Sequence, residues 1–428
     1  VREPSRISAQ HLRAAHHLAD TGHTHEAVSH AVAAGRLDVA ADLIERAGAL
    51  RLVANEGALR SRLLLGQLPE AHVRRRPRLR LLHLACEVVE MNPAGAMTEF
   101  ERIEGQVRDT EGGPDEPLQL DLEMARCLML LQQAEHQAQF SPWPVLAHTS
   151  RVARAQLSQD PRLLAISLPL EIFFLHRYGP VERCERRTRE IEAIHADGNY
   201  TYNSPWIWMY RARNALARGQ VDQAERDLRH SLHNDANYIN YRQDSLGQLV
   251  AILLGRIAYL RGDMELALSH VGALLSERPI TMLEMLVGAH VDVAVCEFAL
   301  GNVEHAQALL AAVRHQAEDD DLPLLGAMAG LTQIDLAARM GDRALLERLA
   351  AQCPPADWWA QASEPFALPW CVVEAAARAQ HAVLRQAGDG RGALAVAEAF
   401  LALALRSGHQ LAVLAAHLMA ATAEDDGA

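Results

Sequence analysis

Apolar and polar positions along the chain group into helical stretches separated by short breaks that hold glycine, proline or acidic residues. They predict helices near 9–20, 24–34, 37–47, 49–65, 77–92, 94–108, 116–138, 142–158, 160–178, 180–196, 204–217, 221–235, 241–260, 264–276, 279–300, 303–317, 322–340, 343–352, 364–387, 391–407 and 409–422. Two breaks have loop composition: 109–117, with Gly112, Gly113 and Pro114, and 352–369, with Pro354, Pro355 and Pro365.

A short motif recurs over this pattern: glycine, then a small residue five positions later. It stands at Gly22/Ala27, Gly35/Ala40, Gly219/Ala224, Gly262/Ala267, Gly301/Ala306 and Gly388/Ala393, with a weaker copy at Gly341/Leu346. From Gly219 onward the glycines lie 43, 39, 40 and 47 residues apart, a period of about forty. In the copy from Tyr259 to Ala267, Gly262 suits the left-handed position after a last helical turn, Asp263 caps the next helix, and Ala267 lets the two helices approach. Each unit is then an antiparallel helix pair that buries its apolar face only by stacking on its neighbours. The expected fold class is all-α: a TPR-like superhelix (solenoid) of helix pairs.

Composition narrows the function. Of 428 residues 50% are hydrophobic but only 5% aromatic, so the apolar mass is largely Ala, Leu and Val. Lysine does not occur, and all 41 basic residues are arginine. That excludes a phosphate-binding loop of the G-x-x-x-x-G-K-[ST] type, a Schiff-base lysine and a Ser-x-x-Lys nucleophile within this chain. A net charge of −13 disfavours nucleic acid as a partner, and no apolar run is long enough for a membrane span. Six dispersed cysteines without a C-x-x-C pair fit reduced thiols, hence a cytoplasmic setting. No catalytic constellation is present, so a non-enzyme is expected. Histidines 11, 16, 17, 23, 25 and 30 crowd the first helices without a cysteine partner or an H-E-x-x-H motif, and no metal is expected there.

The run from His11 to Glu45, and a second block from Leu68 through Arg76, Pro77 and Arg78 to Leu82, resemble MalT-type, ATP-dependent LuxR regulators at the junction between their nucleotide-binding region and their sensor superhelix. The resemblance implies connector helices over 1–48 and a sensor domain over 49–428, cut from a longer chain that begins before Val1. It also implies ATP as cofactor only of a preceding module, none in this segment, and a helix-turn-helix module elsewhere. Such a sensor domain would bind a small-molecule inducer, and its partners would include regulatory proteins and the parent chain's own ATPase module.

Half of the 20 aromatic residues lie between positions 173 and 241. Amphipathic rings grouped in this way suit a ligand surface, because Tyr and Trp combine large contact area with a hydrogen-bonding tip. On a helix from Ser204, residues Trp206, Met209, Tyr210 and Arg213 share one face, while Trp208, Ala212 and Ala215 share another with the character of a packing seam. The first set is expected to face ligand, together with Phe173, Phe174, His176 and Arg177 one helix pair earlier and with Tyr202, Tyr238 and Tyr241. Arginine in this set favours a carboxylate or phosphate on the ligand, or a ring partner through cation–π contact. Two readings stand at this point: an inducer-binding sensor, or a helical-repeat scaffold that binds only protein partners.

Overall fold

The computed structural model describes residues 4–89, 95–109, 113–136, 143–156, 164–198, 204–233, 245–272, 283–351, 353–354 and 368–425. Among them there is no strand, and no helix is long and apolar enough to cross a membrane. The fold is all-α, of TPR-like helix pairs. It divides into two compact units. The first holds 1–132, 143–170 and 194–203; the second holds 133–142, 171–193 and 204–428.

In the first unit α1 (Pro4–Asp20), α2 (Thr24–Ala33) and α3 (Leu37–Arg46) pack in succession, followed by α4 (Arg51–Glu56), α5 (Ala58–Leu65), α6 (Glu70–Arg74), α7 (Pro77–Val89), α8 (Ala96–Arg108), α9 (Glu116–His136) and α10 (Trp143–Gln156). The single helix expected over 49–65 is two, because Gly57 takes φ 87° and breaks the ladder. The short helix α6, which the periodicity did not show, follows the extended Pro69. Charges are placed here as well as apolar residues. The Arg78 guanidinium donates to Asp121 at 2.6 Å, and Asp121 is 2% exposed. His11 and His30 face each other with their Nδ1 atoms 2.8 Å apart, and His25 pairs with Glu56 at 2.7 Å. Among the described residues no group of three or more His, Cys, Asp or Glu is placed to hold a metal ion.

The second unit contains most of α11 (Leu164–Tyr178) and α12 (Val181–Gly198), then α13 (Ser204–Ala217), α14 (Val221–His233), α15 (Ser245–Leu260), α16 (Met264–Val271), α17 (Leu283–Leu286), α18 (Val293–Ala299), α19 (Val303–Asp319), α20 (Pro323–Met340), α21 (Arg343–Ala350), α22 (Trp370–Gln386), α23 (Gly390–Ser407) and α24 (Gln410–Asp425). The pairs α13/α14, α15/α16, α18/α19, α20/α21 and α22/α23 pack internally. First helices also pack on one another, α13 on α15 and α20 on α22; α15 packs on α17, and α24 lies against both α22 and α13. The turn at Gly262 shows how each pair is made. Gly262, at φ 81°, donates its N–H to Tyr259 O at 2.9 Å, and the Asp263 N–H returns to Ala258 O at 3.0 Å. The Asp263 carboxylate then caps α16 by accepting from Leu266 N at 3.0 Å, and Asp342 and Asp389 do the same for α21 and α23.

The helix expected over 279–300 is interrupted by a π-helical segment, Val287–Asp292. Gly288 lies inside it, and a Cβ there would stand 2.5 Å from Ile252 Cγ2 on α15. The absence of a side chain lets these two helices touch.

Two outcomes follow from this packing. Gly288→Ala should lower the melting temperature, at a cost of about 1–3 kcal/mol, and adding Ile252→Ala should cost less than the sum of the two single changes; an unchanged melt or strict additivity would show that the helices are not in contact. In the first unit, burial raises the Asp121 carboxyl from 3.8 to about 6 despite the neighbouring Arg78 charge. A raised folded-state value means that this group's contribution is fully present below pH 3.8 and is lost as the pH rises through about 6. The stability of Asp121→Asn relative to the parent should therefore improve between pH 4 and pH 7 by on the order of 3 kcal/mol, whereas a gap constant with pH in chemical denaturation would refute it.

Candidate functional site: a charged cavity in the second unit

The aromatic residues of α11 and α13 meet as the helical phase requires. Ser204 and Pro205 start α13, and its turns bury Met209 and Tyr210 while Trp206 and Trp208 stay half-buried. Tyr210 stacks on His176 of α11 with ring centres 5.8 Å apart, and Trp206 lies 6.3 Å from Tyr210. Phe173 and Phe174 are buried edge to face at 5.5 Å, with Phe174 stacked on Tyr178 and the Arg177 guanidinium 4.9 Å from the Phe173 ring. Trp208 turns to the other side, against His230 of α14 at 3.9 Å and beneath Arg211 at 4.3 Å. It does lie in the α13/α14 seam, but partly open to solvent.

Beside the stacked pair is a cavity of about 190 Å³. Of the residues singled out from the sequence, His176, Arg177 and Arg213 line it; Phe173, Phe174, Met209, Tyr210 and Trp206 pack nearby without lining it. Tyr202, Tyr238 and Tyr241 lie outside the described residues. The remaining walls come from α13 (Leu216, Ala217), α15 (Leu253, Arg256, Leu260), Glu284 and Val287, the start of α22 (Trp370, Cys371, Glu374 after Pro369), and His409, Leu411 and Ala412 at α24. Trp370 and His409 stack almost parallel, 4.2 Å apart.

Three guanidiniums thus converge with two carboxylates. Arg177 grips Glu284 with two hydrogen bonds, from Nε at 2.8 Å and from Nη2, and Arg213 Nη2 stands 3.9 Å from the same carboxylate. Burial alone would raise Glu284, but the charge and hydrogen bonds of Arg177, with Arg213 behind it, hold it well below the usual carboxylate range. Arg256 donates to Asp292 at 2.8 Å, and that charge keeps its guanidinium raised. Burial lowers Arg213, with Glu284 opposing. Burial also drives both histidines down, His176 well below 6.5 with help from the Arg213 charge and His409 to about 4, so at neutral pH the cations here are the arginines. Two buried nitrogens in this lining, Arg213 Nη1 and His176 Nε2, have no hydrogen-bond partner among the described residues. An anion or carbonyl oxygen entering the cavity would satisfy Arg213 Nη1, whereas His176, neutral here, offers an acceptor at Nε2 because its one ring N–H is directed at the Tyr210 backbone.

Arg256, Glu284, Trp370 and His409 were not singled out from the sequence. Their one local signal is a lone charge in an apolar run, Arg256 between Gly255 and Ile257 and Glu284 between Leu283 and Met285, since a charge that a helix buries must find a partner.

No family model matches the chain, and no curated protein does. Among solved structures, a Rap protein determined in complex with Competence and Sporulation Factor is similar in fold, with a TM-score of 0.52 over 83% of this chain and 100% of that one, at 11% sequence identity.

Glu284→Gln should destabilise the second unit by about 3 kcal/mol or more, because it leaves Arg177 and Arg213 facing an uncharged amide in a buried setting. Pairing Arg177→Met with Glu284→Leu should recover much of that loss in urea titration, and a single-variant cost below about 1 kcal/mol would mark the pair as solvated.

Proposed function

We propose that this chain is a ligand-sensing regulatory module, non-catalytic, that takes a small anionic inducer into the cavity between α11, α13, α15, α22 and α24. The observation that carries the reading is the lining itself: more guanidiniums than carboxylates, with a buried nitrogen donor of Arg213 left to be satisfied. A volume of about 190 Å³ is below the 300–1,000 Å³ typical of drug-sized sites, which favours a ligand the size of a small carboxylic acid. The lining draws on α11 at one end of the second unit and α24 at the other. A ligand bridging them would tie together helices more than 200 residues apart in sequence, and so would favour one arrangement of the unit over others.

The likeness of 11–45 and 68–82 to the junction of MalT-type LuxR regulators supports assigning 1–48 to connector helices and 49–428 to the sensor of such a regulator, with ATP bound by another module. A partner-binding scaffold is the second reading, and the similar fold of a Rap protein solved with Competence and Sporulation Factor supports it.

A thermal-shift screen of small mono- and dicarboxylates separates the two. An inducer at a hundred times its dissociation constant should stabilise the chain by about 2.7 kcal/mol. Arg213→Ala should cut that stabilisation to about 1 kcal/mol or less by weakening binding by about 2 kcal/mol or more, with the helical circular dichroism retained. A screen in which no small anion moves the melt would reject the sensor reading in favour of the scaffold.

A further inference from the structure

A second, larger cavity of about 570 Å³ lies in the same unit, between α20, α21, α22 and α24. It concerns other residues than the inducer cavity and holds whether or not that cavity is filled. One wall is cationic: Arg339, Arg343, Arg378 and Arg385, with Asp335 the one carboxylate. Asp335 is committed to Arg339 at 2.7 Å, and Arg378 is paired at 2.6 Å with Glu374, which lines the smaller cavity. The Arg343 side chain is exposed, with no ion-pair partner among the described residues. The opposite wall, from α24, is apolar, with Ala415, Leu418 and Met419, and Leu418 is 61% exposed. Helical spacing builds both walls. Arg378 and Arg385 stand seven residues apart on one stripe of α22, about 10 Å along the axis, and residues 415, 418, 419 and 422 form the matching stripe of α24.

We propose that this cavity is a docking groove for an extended peptide segment in which acidic and apolar residues alternate. In extended chain, residues two apart point the same way at about 6.6 Å spacing, so one edge would set carboxylates against the arginine wall while the other lays apolar side chains on Leu418. A phosphate group alone would satisfy the arginines and leave the leucine uncovered. A nucleic acid would have to approach a chain of net charge −13, whereas a short acidic segment fits within the local cationic field.

The test is fluorescence anisotropy of the 428-residue chain with a fluorescein-labelled pentapeptide of alternating glutamate and leucine. Saturable binding is expected, weakened by added sodium chloride and lost when glutamine replaces glutamate. Arg343→Ala, Arg385→Ala and Leu418→Ser should each weaken it about tenfold, while Arg406→Ala, an exposed arginine of α23, should not, and all four variants should melt close to the parent. Equal binding of the glutamine peptide, no effect of the three variants, or no binding at all would overturn the proposal. So would displacement by inorganic pyrophosphate as effective as by unlabelled peptide, because the groove would then read charge alone.

Discussion

The repeat depends on one short junction, in which a helix ends on a left-handed glycine and the next helix presses a small residue against the one just ended. Crowding does not require glycine at position 262: a Cβ there would meet nothing within 4 Å, and the φ of 81° is what excludes other residues. Five positions on, the requirement reverses. Ala27, Ala40, Ala224, Ala267, Ala306 and Ala393 are all at most 1% exposed, and Ala267 clusters with Ala258 of the preceding helix, where a larger side chain would hold the pair apart. Gly288 obeys the second rule without the first, since its backbone is helical and only the contact with Ile252 forbids a side chain. The spacing of about forty is thus the distance from one copy of this pair of local steric conditions to the next.

On that scaffold the charges choose which helices meet. Apolar stripes of Ala and Leu resemble one another from pair to pair and discriminate weakly between registers, whereas a buried guanidinium that misses its carboxylate pays a large desolvation penalty. Arg177 on α11 finds Glu284 on α17 across 107 residues, Arg78 finds Asp121 across 43, and Arg187 finds Glu171 at 2.9 Å. That these cations are all arginine suits the task, because the planar fork can hold a carboxylate through two bonds at fixed angles where an ammonium could not.

This division explains what could be read in advance. The junctions are local, so Gly262, Asp263 and Ala267 announced a turn, a cap and a contact, and the structure has all three. Breaks that depend on a neighbour were not legible: the π segment at Val287–Asp292 makes sense only once Ile252 is seen against Gly288. The same holds for the cavity. Its near side, His176, Arg177 and Arg213, lies in the aromatic cluster of α11 and α13, and helical phase separated Arg213 from Trp208. Phase could not distinguish Arg213, which reaches the lining, from Tyr210 and Met209 on the same face, which are covered by packing. The far side, Trp370, Glu374 and His409, depends on α24 lying against α13, a contact between helices some 200 residues apart that no local pattern encodes.

The far side also shows why the second unit has two cavities of different chemistry on common helices. A stripe with spacing of three and four runs the length of a helix, so whatever faces inward at one end continues to do so at the other. On α22 it passes from Cys371 and Glu374 to Arg378 and Arg385, and on α24 from Leu411 and Ala412 to Leu418 and Met419. The change of lining therefore needs no change of backbone, only a change of residue along the stripe. Where it occurs on α22, Glu374 and Arg378 pair across one turn at 2.6 Å, one partner in each lining. The two linings therefore meet at a single ion pair, whose guanidinium faces the arginine wall of one cavity and whose carboxylate belongs to the wall that Trp370 and His409 complete in the other.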